Sequence, residues 1–165
     1  MAHGDAADAL VRDFCQGLQR AGWRVGGLVQ RRLPAPGGGK PLLELEDVRT
    51  GQVFPISQRL GALSRACSLD TGGVAQASGV LRQALADGVH LAVTNRFGEL
   101  EATGGGFAAE IAALAGGGIP VLTVIAHKHV DAWRRFTGGL GEELPARPAA
   151  LRDWFTLAAG REVPA

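Results

Sequence analysis

Tyrosine is absent from this chain, and phenylalanine and tryptophan bring the aromatic share to only 5%. A core built from it must therefore be made of Leu, Val and Ala. Cysteine occurs twice, at Cys15 and Cys67, which excludes a disulfide framework and offers no metal-ligand spacing. Charge of one sign is missing as well: the net charge of +1 lacks the basic excess of a nucleic-acid binder. No apolar run reaches the ~20 residues of a membrane span. The opening "MAHGDAADALVRDF" has neither the basic start nor the apolar stretch of a secretory signal, so a cytoplasmic protein is expected. No G-x-x-x-x-G-K-[ST] occurs, so a lysine for β- and γ-phosphates and a hydroxyl for magnesium are both lacking.

What is present fits one globular domain over residues 1–165, with 46% hydrophobic residues. Asp5 is placed to cap a first helix whose apolar face runs Ala7, Leu10, Val11, Phe14 and Leu18. Residues 23–30 read as a short strand and 31–40 as a Pro/Gly loop. Residues 41–57 alternate around Arg49-Thr50-Gly51, the pattern of a β-hairpin, taken as an insertion. Stretches 90–94 and 119–126 are apolar along their whole length, as strands of a parallel sheet covered on both faces are. Helices are predicted over 74–86, 107–115, 130–136 and 149–158. The alternation gives an α/β fold, three layers around a mostly parallel sheet. A doubly wound domain normally opens on a strand, and none is read ahead of the first helix.

Candidate site residues lie where strands end. Asn95 and Arg96 close one strand, and His127, Lys128 and His129 follow the next. In open α/β sheets, carboxyl ends of strands face the crevice that binds ligands. Arg96 can grip a tetrahedral anion in two places and Lys128 can add charge. Gly104-Gly105-Gly106 would bring backbone N–H groups and a helix N-terminus close to it. The competing reading has Asn95 bonding the loop backbone, Arg96 pairing with Glu99 or Glu101, and the glycines making a turn. "SQRLGALSRACSLD" (57–70) supplies further donors in Ser57, Gln58, Arg59, Ser64 and Arg65. Cys67, two residues from Arg65, is either a thiol of lowered pKa or a small buried hydrophobe. Glu101 is either a solvated carboxylate or one that positions a water. The H-x-H of 127–129 lacks partners for a metal site.

Taken together, "GWRVGGLVQ", "ISQRLGALSRACSLD", "NRFGELEATGGGFAAEI", "GIPVLTVI" and "WRRFTGGLGEEL" resemble an uncharacterised bacterial domain family associated with molybdate-transport genes. That family is similar to THEP-like P-loop nucleoside triphosphatases. Ser57, Gln58, Arg65, Cys67, Asn95, Arg96, Phe97, Gly98 and Glu101 fall on its motif positions. Asn95 stands where the relatives' strand bears the Walker B acid. The resemblance implies a P-loop-like fold whose first strand and Walker A are missing here. It also implies a cytoplasmic accessory protein that binds molybdate or tungstate through Ser57, Gln58, Arg65, Asn95, Arg96, Gly98, Glu101 and Lys128. No other cofactor is expected. Two alternatives stay open: a divergent nucleoside-triphosphate-binding protein or phosphatase, and an interaction module for a molybdoenzyme or transporter. A homo-oligomer is also left open; nucleic-acid and membrane partners are not expected.

Overall fold

The computed structural model describes residues 3–35, 37–59, 67–69 and 71–160. Helix α1 (His3–Arg20) leads into β1 (Val25–Leu33), β2 (Leu42–Asp47) and β3 (Val53–Pro55). Two short strands follow, β4 (Ser57–Arg59) and β5 (Cys67–Leu69), and then α2 (Thr71–Asp87) and β6 (Leu91–Phe97). A short α3 (Glu99–Ala102) and α4 (Ala108–Gly116) precede β7 (Val121–Ile125). A 3₁₀ turn (His127–His129), α5 (Val130–Thr137) and α6 (Pro148–Ala159) complete the described chain.

The main sheet has the order β3-β2-β1-β6-β7. β1, β6 and β7 run parallel, while β2 runs antiparallel to both β1 and β3, so four of the five strands share one direction. β4 and β5 form a separate antiparallel pair. The mixed, mostly parallel α/β architecture expected from the apolar strands is the one observed.

Alternation along β1 and β6 sorts the core into two layers, because successive side chains in a strand face opposite ways. Leu28 and Ala92 join Leu81, Ile111 and Leu114 on the face covered by α2, α4 and α5. Val25, Val29, Leu91 and Val93 join Val11, Cys15, Leu18, Leu151 and Phe155 on the face covered by α1 and α6. Trp23 and Phe14 meet the Phe155 ring edge to face, at centroid distances of 5.0 and 6.3 Å. Burying these rings and aliphatics removes about 2 kcal/mol worth of exposed apolar surface per large side chain.

Several expectations are corrected. β1 continues to Leu33, into the stretch expected as loop, because Gln30 to Leu33 pair with Leu45 to Leu42 of β2. The expected hairpin insertion is present as β2 and β3, and it widens the sheet by two strands. Beyond Gln30 this ribbon carries charge on its solvated side, and Arg31 pairs with Glu46 at 3.4 Å. Helix α1 already begins at His3, so Asp5 lies inside its first turn and is not its cap. The donor-rich 57–70 stretch contains β4 and β5.

Candidate functional site

Helix α1 carries one charge inside its buried stripe. Asp8 precedes Val11, Cys15 and Leu18 at helical spacing, and all four are buried. A carboxylate there needs partners, since an unpaired buried charge is very costly. It finds them at the carboxyl ends of the two adjacent parallel strands. Arg96 of β6 donates from Nη2 to Asp8 Oδ1 at 2.7 Å. Gln30 of β1 donates from Nε2 to Asp8 Oδ2 at 3.3 Å, and Arg32 Nε lies 3.5 Å from the same oxygen. Arg12, one helical turn on, donates to the Gln30 carbonyl at 2.9 Å. Among the described residues, this rim thus gathers two guanidinium groups and an amide around the Asp8 carboxylate.

The pairing of β6 with β7 slips between Thr94 and Arg96, leaving Asn95 as the extra residue of a bulge. Bulges re-aim side chains and recur beside functional sites. Thr94 Oγ1 and Asn95 Oδ1 are both buried, with no hydrogen-bond partner among the described residues. The Asn95 carbonyl lies 3.5 Å from Thr123 Oγ1, which donates to it across the bulge.

The loop after β6 is braced internally. Glu101 Oε1 accepts the Gly98 N–H at 3.2 Å, capping α3. Burial pushes the Glu101 carboxyl above the usual glutamate range, opposed by N–H bonds from Gly98 and Phe107. Gly106, at φ 53°, packs so closely that a Cβ there would sit 1.8 Å from Glu101 Oε2. The Gly104 and Gly105 amides donate to the Glu101 and Leu100 carbonyls at 3.1 and 2.8 Å. Two of the three glycine amides are thus engaged within the loop itself.

The remaining expected residues distribute as follows. Ser57 Oγ accepts the Leu43 N–H at 2.5 Å, which ties β4 to β2. Gln58 pairs with Ser68 and Arg59 with Cys67 through their backbones; the side chains of Gln58, Arg59 and Cys67 lie outside the described residues. Arg65 and Ser64 lie outside them altogether. Lys128 is exposed in the 3₁₀ turn beyond β7, at the same edge of the sheet as Arg96. Cys15 is a buried hydrophobe, its thiol pushed up to about 12 by burial. Among the described residues, no group of three or more His, Cys, Asp or Glu could hold a metal ion. None of the described helices is long and apolar enough to cross a membrane. The hairpin tip is tied down by an ion pair between Arg49 and Asp87.

Arg96 pairs with neither Glu99 nor Glu101, the partners the competing reading gave it, but with Asp8. Sequence reasoning missed Asp8, Arg32, Gln30 and Arg12. One signal was available: an aspartate within the apolar stripe of a helix, where charges are rarely buried unless paired.

A family profile described as "Protein of unknown function (DUF2478)" matches residues 1–154. A Bradyrhizobium diazoefficiens protein named "Molybdenum import ATP-binding protein ModC 2" is 40% identical over 151 residues, 92% of this chain. The chain spans only 17% of that relative's length. No solved structure matches. The resemblance to an uncharacterised family with a molybdate-transport connection is carried this far, and the chain belongs to the DUF2478 family.

Proposed function

We propose that this protein is a cytoplasmic accessory protein that binds a small oxyanion at the carboxyl edge of β1 and β6, with molybdate or tungstate as the preferred ligand. The observation that carries the reading is the Asp8 cluster. The Asp8 carboxylate occupies the point where Arg96, Arg32 and Gln30 converge. Carboxylates and tetrahedral oxyanions accept the same charge-assisted bonds from guanidinium groups. In this reading Asp8 is the resident competitor: the oxyanion enters as α1 releases Arg96, and Ser57, Gln58, Arg65, Asn95 and Lys128 complete or flank the donor set. The name of the Bradyrhizobium relative favours molybdate among the tetrahedral anions, although that name describes a much longer protein.

The test is a thermal-shift and calorimetric titration with molybdate, tungstate and sulfate. A ligand at 100 times its Kd should stabilise the fold by about 2.7 kcal/mol. Asp8→Asn removes the competing charge and should tighten molybdate binding roughly tenfold, about 1.4 kcal/mol. Arg96→Ala should abolish binding. No response to any of the three anions, in wild type and Asp8→Asn alike, would refute the reading.

A second reading, nucleotide binding with or without phosphatase activity, draws on the words "ATP-binding" in the relative's name and on the THEP-like resemblance. The absent Walker lysine and the engagement of Glu101 by Gly98 make it the weaker of the two. Phosphate release compared between wild type and Arg96→Ala separates it from simple anion binding.

A further inference from the structure

β7 is an edge strand: among the described residues it pairs with β6 alone. Its burial differs from that of its neighbour. Leu91 to Thr94 of β6 are all buried, whereas in β7 only Leu122 is, the other four residues being half exposed. The Ala92 N–H donates to the Pro120 carbonyl, and parallel pairing alternates from there. The amides of Val121, Thr123 and Ile125 consequently face away from β6. Beside them lies a cavity of about 720 Å³ that runs along β7 between the helical layers. α1 supplies one wall through Leu10 and Val11, and α4 and α5 supply the other through Ala112 and Trp133. The five-residue edge spans about 17 Å at ~3.3 Å per residue.

We propose that this slot receives an extended aliphatic segment of another polypeptide, which adds to the sheet as a sixth strand beside β7. Main-chain bonds to an open edge give such pairing its affinity, and side-chain pockets give it selectivity. Both walls are apolar, so the incoming segment must be apolar on both faces, as strands buried inside a parallel sheet are. A second copy of this chain does not fit. The connector 138–147 joins α5 on one face of the sheet to α6 on the other and therefore passes round the β7 edge, lining the slot with Gly141 and Leu144. Two such edges would meet connector against connector, whereas a linear segment slides between connector and strand. Glu142 and Glu143 both lie on this connector; Arg134 already holds Glu143 from Nε and Nη2 at 2.7 and 3.0 Å, so Glu142 is the carboxylate that selects for a basic residue flanking the segment. Leu140, 92% exposed at the lip, is positioned to be covered when the slot fills.

The test uses the peptide acetyl-Lys-Lys-Val-Ile-Val-Leu-Val-Lys-Lys-amide and a control with proline at alternate central positions, which cannot pair. Trp133 and Trp154 line the slot and Trp23 does not, so Trp23→Phe protein reports on it directly. Saturable binding should blue-shift the emission and raise the Tm by about 6 °C, with no response to the control. Two variants should weaken binding at least tenfold. Thr123→Pro removes an outward N–H from an edge strand, where proline is tolerated. Ala112→Trp, at an exposed position of α4, fills the slot from its wall and serves if the first variant fails to fold. The proposal is overturned by absence of an emission or Tm response, by an equal response to the control, by unaltered affinity in Ala112→Trp, or by a protein dimer that the peptide does not dissociate.

Discussion

Glu101 shows how a residue read as a candidate ligand takes on a different local task. Its carboxylate is enclosed by the loop it caps, with Gly98 donating to it and Gly106 too close to carry a side chain. A carboxyl held above its ordinary range in the folded state favours folding when protonated, and that contribution is lost as pH rises through the folded value. Glu101→Gln lacks this titration. The stability advantage of wild type over Glu101→Gln should therefore shrink as pH rises above the ordinary glutamate range. Urea midpoints measured across that rise check it; a gap that widens with pH would contradict the enclosed carboxyl. At this scale the sequence was a partial guide. Asn95, Arg96 and Lys128 were placed at strand ends from local pattern alone. The partner of Arg96 was not, because Asp8 lies 88 residues away and only the packing of α1 across the sheet brings the two together.

At the scale of elements, β1 changes partners along its length. Residues 25–27 pair with β6 and residues 28–33 with β2. Gly27 sits at the changeover with φ 115°, and a Cβ there would lie 1.9 Å from the Val93 carbonyl oxygen. That oxygen belongs to backbone in the middle of the sheet and cannot swing aside. Gly27→Ala should cost about 3 kcal/mol or more, combining a left-handed φ with an unrelieved clash. Chemical denaturation measures this, and a loss under ~1 kcal/mol would show that the strands are not so closely apposed. The long apolar strands and the main helices were legible because their periodicity extends over enough residues to be distinctive. α3, at four residues, was too short to show a period. The extension of β1 past Gln30 was hidden because its pairing, not its composition, makes it a strand.

For the whole molecule, the two hydrophobic layers lie on opposite faces of a single sheet and share β1, β6 and β7. Neither face can be lost without exposing the back of strands that hold the other, so unfolding should be a single transition. Trp23 reports on the α1–α6 side through Phe155, and Trp133 reports on the other through Phe97 at 5.3 Å. Fluorescence melts of Trp23→Phe and Trp133→Phe proteins, each compared with its own far-UV circular dichroism, should give coincident midpoints within each variant. Separate midpoints would mean that the layers unfold independently.

The sequence by itself determined the class of fold. Apolar runs at strand period and apolar stripes at helix period leave few ways to bury both, and covering a parallel sheet on two faces is the one this chain takes. Tertiary structure alone decided which charges meet and which edge stays open. Asp8, Arg32 and Arg96 belong to three elements distant in the chain, and their grouping follows from how α1 crosses the sheet. That β7 pairs on one side only, among the described residues, depends likewise on strand order, because local pattern specifies that a segment is a strand and never which neighbour it will have.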